Sequence, residues 1–254
     1  MGLLWLRICR VTTGHPCLVM ELSEVIPFGR SLDEYRRMFR LSDSDLKGRL
    51  LGAGDGPASF NAELTAVGGC VVSVDPLYSY SAAEIRGRFD AVLDDIIEQV
   101  KASPGDWVWS YHKSPEDLRA NRVAVIRRFA DDYEAGRGGG RYVRGELPSL
   151  DFSDSQFDLA LCSHLLFLYS GQLDREFHLR SVIELLRVAS EVRIFPLLTL
   201  RLERSHHLAP VMEALSARGC PLEIVRVDYE LQRGGDEMLV VRRPSGSCVF
   251  ECSG

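Results

Sequence analysis

Apolar residues along this chain fall into short, β-branched runs that alternate with stretches of helical spacing. Leu50 and Leu51 centre a buried strand over residues 48–52, which enters the glycine-rich turn Gly52-Ala53-Gly54-Asp55-Gly56. Phe60, Leu64 and Val67 then recur at helical spacing, predicting a helix that buries one face. Pro57 fits its first position, where the missing amide costs nothing, and Gly68-Gly69 ends it. Cys70 to Asp75 is a second strand, closed by Pro76, which completes a strand-helix-strand unit.

The alternation extends in both directions. Upstream, the turn-like Pro27-Phe28-Gly29-Arg30 leads into Ser31-Leu32-Asp33-Glu34, a capping box opening a short amphipathic helix through Phe39. Residues 79–140 are predicted mostly helical. Ser81 and Glu84 cap one helix running toward Lys101, and Ser114-Pro115 with Asp117 caps another running toward Tyr133. Trp107, Trp109 and Tyr111 supply bulky apolar contacts between them, and residues 136–140 read as a flexible break. After the turn Gly145-Glu146-Leu147-Pro148 come a strand (Phe157 to Ser163), a helix (Arg175 to Val188), a strand (Glu191 to Leu198) and a helix (His207 to Arg218). Two last strand-like runs, Leu222 to Leu231 and Met238 to Arg243, are joined by the hairpin signal Arg233-Gly234-Gly235-Asp236. Strands alternating with helices predict an α/β fold, doubly wound around a mainly parallel sheet, with one antiparallel edge strand from the closing hairpin.

Composition narrows the class. A length of 254 residues suits one α/β domain, and 46% hydrophobic with 26% charged residues is ordinary for a soluble globular protein. The formal charge of -6 disfavours a large nucleic-acid surface, which needs clustered Lys and Arg. The basic groups Arg36, Arg37, Arg40 and Arg127, Arg128 are interleaved with acids and read as solvated helix faces. No apolar run is long enough for a membrane span. Seven cysteines with no CxxC pair form neither a disulfide framework nor a zinc pattern. Cys70 and Cys162 lie in apolar strand runs and read as small hydrophobes, so a reducing, cytoplasmic setting is expected. Residues 1–19 read as a loosely attached extension with Met20 as an alternative start, 20–244 as the domain, and 245–254 as a tail.

The glycine turn carries the chemistry. Closely spaced glycines between strand and helix let backbone amides approach a ligand at the carboxyl edge of the sheet, although a merely tight connection uses the same residues. Asp75, nineteen residues beyond Gly56, ends the next strand, where a carboxylate can accept bonds from both hydroxyls of a ribose. The NAD fingerprint needs a third glycine where this chain has Pro57, so a ribose-bearing amino-acid cofactor without phosphates fits better.

The ordered series Gly52-Ala53-Gly54-Asp55-Gly56, then Asp75, then Gly145-Glu146-Leu147-Pro148-Ser149-Leu150-Asp151-Phe152 before Phe157-Asp158-Leu159-Ala160 resembles class I S-adenosylmethionine-dependent methyltransferases. The resemblance covers about residues 26–243, with 79–140 as a longer helical insertion than usual. More narrowly, Pro27-Phe28-Gly29-Arg30-Ser31, Gly54-Asp55-Gly56-Pro57-Ala58-Ser59-Phe60-Asn61 and Gln232 to Leu239 resemble a bacterial subgroup of unassigned substrate. The family resemblance implies a Rossmann-like, seven-stranded sheet and S-adenosyl-L-methionine as cofactor. It places Gly52, Ala53 and Gly54 along the methionine part, Asp75 at the ribose, Pro76 and Leu77 beside the adenine, and Glu146 with Leu147 at its amino edge. Many members carry an acid where this chain has Leu50, which leaves the cofactor's ammonium group to a backbone carbonyl or Asp55.

Arg30 can bind the cofactor's carboxylate bidentately, or be an ordinary surface residue. Acidic charge and the helical insertion point to a small-molecule methyl acceptor. A sulfonium methyl is already activated, so alignment and water exclusion suffice. If a base is used it is His164, which follows Ser163 at the end of the fourth strand, both at the binding edge. Tyr35, Tyr78 and Tyr169 shape an acceptor pocket or belong to the core. His206-His207 and Cys162-x-His164 lack further ligands, so no metal is expected. The rival readings are a cofactor-binding module without turnover and a nucleic-acid or protein methyltransferase.

Overall fold

The computed structural model describes residues 28–244. The expectations for residues 1–19, Met20, Pro27 and the tail 245–254 lie outside the described residues.

The first helix, α1 (Leu32–Met38), starts at a complete capping box: Glu34 N–H donates to Ser31 Oγ, and the Glu34 carboxylate accepts the Ser31 amide. The chain then forms β1 (Arg49–Ala53), α2 (Phe60–Ala66) and β2 (Cys70–Val74), the strand-helix-strand unit read from the sequence. Two long helices follow, α3 (Ala82–Ala102) and α4 (Pro115–Gly138), and then the short β3 (Tyr142–Val143). Beyond it come β4 (Phe157–Ser163), α5 (Arg175–Val188), β5 (Ala189–Phe195), α6 (Leu208–Ser216), β6 (Leu222–Arg226) and β7 (Glu237–Arg242). Ser81 with Glu84 and Ser114 with Asp117 cap α3 and α4 as expected.

All seven strands form one sheet in the order β3-β2-β1-β4-β5-β7-β6. β3, β2, β1, β4 and β5 pair in parallel, and β7 runs antiparallel to both β5 and β6. The antiparallel strand therefore sits one place in from the edge. Each strand sends alternate residues to opposite faces, which divides the core in two. Leu50, Leu159 and Leu161 face a layer containing α1 to α4, whereas Leu51, Ala160 and Cys162 face α5 and α6.

Some boundaries differ from the sequence pattern, each for a packing reason. The run Leu222 to Leu231 is a strand only as far as Arg226. Beyond it the chain leaves the sheet, burying Val227, Tyr229 and Leu231 against the helical layer, with Val108 N–H donating to Leu231 O at 2.8 Å. The break expected over residues 136–140 is only its last two residues: α4 continues through Gly138 and the chain turns at Gly139 and Gly140, while a Cβ at Gly136 would stand 2.5 Å from the Tyr142 ring. Glycine there lets α4 press onto β3. Pro57 precedes α2 rather than starting it, and its carbonyl lies where a Cβ on Gly29 would go. β5 stops at Phe195 because Pro196 has no amide for the ladder. Cys70 is exposed as the first residue of β2, so only Cys162 is the buried hydrophobe expected. Arg36, Arg37, Arg127 and Arg128 lie on solvated helix faces.

Candidate functional site

In an open parallel sheet, ligands bind outside the carboxyl ends of the strands where the chain order reverses. Here β1 lies between β2 and β4, and that reversal falls beside the glycine turn. Ala53 is in register with Val74, so the turn after β1 stands next to Asp75 at the end of β2. Gly54 adopts φ +68 and Gly56 φ +53, a region that costs glycine nothing. Gly54 N–H donates to Val74 O at 2.9 Å.

Two buried carboxylates hold this turn. Asp75 Oδ2 accepts the Gly56 amide at 2.8 Å and Oδ1 accepts the Leu77 amide at 2.7 Å. Asp55 turns back under the strand, accepting from the Tyr35 hydroxyl and the Ser73 hydroxyl, both at 2.6 Å. Burial pushes each acid up to about 6, against the lowering effect of these hydrogen bonds. Tyr35 stacks on Phe60 and belongs to the core, and Tyr78 donates to Gly56 O at 2.7 Å. Both therefore brace the glycine turn instead of lining an acceptor pocket. Leu50, where the resemblance lacks its acid, is buried in the core beneath.

The remaining expected residues flank this edge. Pro76 and Leu77 begin a short 3-10 turn after β2, with Leu77 buried. Glu146 is exposed and Leu147 buried in the turn after β3. Gly145 permits that turn's approach, since a Cβ there would lie 2.7 Å from the Val74 side chain. Ser163 ends β4, and its hydroxyl meets His164 Nδ1 at 2.9 Å. His164 adopts φ +54, a conformation that costs an ordinary residue energy and recurs at functional sites. Burial, then the charges of Arg30 and Arg122, hold its imidazole well below the usual histidine range. The imidazole is thereby held in its neutral form, with Nδ1 against the Ser163 hydroxyl.

Next to His164 is a cavity of about 110 Å³, whose wall includes Arg30, Arg122, Tyr169 and Gln232. Tyr169 thus does line a pocket. Behind it lies a buried ionic network that the sequence reading missed. Glu34 accepts from Arg122 at 2.7 and 2.9 Å and from the Tyr229 hydroxyl at 2.9 Å, and its Oε1 lies 3.4 Å from His112 Nε2. Burial works against the Glu34 carboxylate, but Arg122, His112 and Arg30 outweigh it and hold its pKa well below the ordinary value. One carboxylate thereby ties together α1, α4, the segment before α4 and the β6–β7 connection. A signal was available: Arg122 falls on the apolar stripe of Leu118, Ile126 and Phe129, where a charge needs a partner.

Among the described residues, no group of three or more His, Cys, Asp or Glu could hold a metal ion. No described helix is long and apolar enough to cross a membrane.

No family model matches the sequence. The chain is 32% identical over 225 residues to the uncharacterized protein MJ0045 of Methanocaldococcus jannaschii, covering 88% of this chain and 99% of that protein. The chain belongs to that protein's family. This relative is archaeal, so the similarity is not confined to the bacterial subgroup suggested by the motifs. Among solved structures, the chain is similar to magnesium protoporphyrin IX methyltransferase of Synechocystis PCC 6803 with bound SAM, at 14% identity and TM-score 0.43 over 79% of this chain and 73% of that one. It is likewise similar to a Burkholderia thailandensis 1,6-didemethyltoxoflavin-N1-methyltransferase with bound S-adenosylhomocysteine, at 14% identity and TM-score 0.42 over 78% and 72%.

Proposed function

We propose that the protein binds S-adenosylmethionine at the carboxyl edge of β1, β2 and β4 and transfers its methyl group to a small molecule. One observation carries the reading: the glycine turn on β1 lies beside a buried carboxylate at the end of β2, at the point where the strand order reverses. The fit is chemical as well as topological. A Cβ on Gly56 would meet nothing within 4 Å, so there is room at that end of the turn, while the Asp55 carboxylate and the Leu165 side chain pack where Cβ atoms on Gly52 and Gly54 would go. Each Asp75 oxygen accepts one amide and keeps a second lone pair, which leaves capacity for two ribose hydroxyls.

In this reading the backbone of Gly52, Ala53 and Gly54 passes the methionine part while Asp55 braces the turn from below. Pro76 and Leu77 take one face of the adenine, and Glu146 with Leu147 its amino edge. Ser163 orients His164. The bound cofactor supplies an activated methyl, so the protein's tasks are alignment and exclusion of water. The layer of α3 and α4 provides the cover, and His164, next to the cavity, takes a proton only where an anionic acceptor offsets the burial and the two arginines that disfavour its charged form.

Calorimetric titration of the full chain with S-adenosylmethionine, S-adenosylhomocysteine and NAD tests the reading. Saturable binding of the first two without the third is expected. Heat from NAD alone, or from none, overturns it.

A further inference from the structure

The cavity beside His164 has a charge imbalance within an apolar shell. Its wall is formed largely by Phe28, Ile96, Val100, Trp107, Leu118 and Leu231, yet it includes two guanidinium groups. The charges acting on His164 are Arg30, Arg122 and Glu34, two positive against one negative.

The two arginines differ in how they are satisfied. Arg122 spends its donors on both Glu34 oxygens, Gly29 O and Asn121 Oδ1. Arg30 gives one terminal nitrogen to the Phe28 and Gly29 carbonyls, while its Nε is buried with no hydrogen-bond partner, 4.0 Å from the already saturated Glu34. A buried donor left unmade is destabilising, and a ligand that meets the Arg30 guanidinium can relieve it.

We infer that this cavity takes a small, apolar carboxylic acid in its ionised form, with Arg30 holding the carboxylate. A single negative charge balances the cluster. A phosphate dianion overshoots it, and a neutral molecule leaves Arg30 unmatched. The size limits the ligand: about 110 Å³ is below the roughly 150 Å³ of a dry protein cavity known to accept benzene, so the acid is a small one, and a ring the size of benzoate fits only by reaching into the cavity's open side. Arg30 then serves the acceptor rather than the cofactor's carboxylate, consistent with a cavity wall that includes none of Gly52, Ala53, Gly54 or Asp75.

As an acceptor site this deepens the methyl-transfer reading and rests on it. The acceptor's nucleophilic atom bonds the methyl carbon as the sulfur–carbon bond breaks, the sulfur keeps that electron pair, and any proton on the nucleophile passes to His164.

The test uses benzoate and its neutral isostere benzamide, titrated into the full chain with and without S-adenosylhomocysteine and read by tryptophan fluorescence, since Trp107 lines the cavity. Benzoate is expected to bind at least tenfold tighter than benzamide. Arg30→Gln removes that preference, Arg30→Lys restores part of it, and neither moves S-adenosylhomocysteine affinity more than twofold. Leu231→Phe, which fills the cavity without altering charge, abolishes binding of both probes. Equal binding of the two probes, or none, overturns the inference even if S-adenosylhomocysteine binds. So does an Arg30→Gln variant that loses S-adenosylhomocysteine and keeps benzoate. Discrimination between the probes without S-adenosylhomocysteine binding supports the carboxylate pocket and removes the methyl-transfer reading.

Discussion

The carboxylate of Asp75 reaches across from β2 to the Gly56 amide at 2.8 Å, so the acid that ends one strand holds the glycine turn that ends its neighbour. The proposed cofactor residue and the proposed cofactor loop are thus a single mechanical unit. Replacing Asp75 with Ala removes the ribose acceptor and frees the turn. S-adenosylhomocysteine affinity, measured by calorimetry, is expected to fall at least about tenfold, since a hydrogen bond to a charged group contributes on the order of 1.5–3 kcal/mol.

Glu34 is the hub of the buried ionic network behind the cavity. Glu34→Ala leaves Arg122 and Arg30 buried with no counter-charge, and a loss of about 3–5 kcal/mol in urea unfolding is expected. The double variant Glu34→Leu with Arg122→Met removes both charges, and is expected to cost clearly less than the sum of the two single changes. Additive costs would show that the pair does not interact.

Burial raises the Asp55 carboxyl to about 6, above the roughly 3.9 of an unfolded chain. The folded state therefore binds the proton more tightly. The associated stability is fully present below about pH 4 and is lost as pH rises through 6. Asp55→Asn is expected to gain stability relative to wild type on going from pH 4.5 to 7.5, by about 2 kcal/mol. A constant difference across that range would contradict the buried placement.

Two helical glycines give opposite expectations. A Cβ at Gly136 meets the Tyr142 ring at 2.5 Å, whereas one at Gly87 in α3 meets nothing within 4 Å. Gly136→Ala is expected to destabilise by about 1–3 kcal/mol through overpacking. Gly87→Ala is expected to stabilise by roughly 0.5–1 kcal/mol through helix propensity. Thermal unfolding distinguishes them.

Much of the sheet and both long helices were legible in the sequence, because β-branched runs, capping boxes and glycine turns are local signals. Asp75 and the glycine turn were legible for the same reason: each sits where a strand ends. What escaped was non-local. The segment Val227 to Leu231 has strand-like alternation, yet it leaves the sheet because the helical layer offers a better apolar partner. Gly136 looked like a helix breaker because the ring it accommodates belongs to β3. The Glu34 cluster joins residues up to 195 positions apart, and only Arg122 on an apolar stripe hinted at it. Tyr35 and Tyr78 were recognisable as aromatic, but their bracing of the turn appears only once β1 and β2 are side by side.

A crystal structure of the full chain grown with S-adenosylhomocysteine tests whether Asp75 and the glycine turn form the cofactor site. The ribose hydroxyls are expected within hydrogen-bonding distance of Asp75, with the amino-acid portion over Gly52 to Gly54. Adenosine bound anywhere else, or a bare turn at saturating ligand, contradicts that placement.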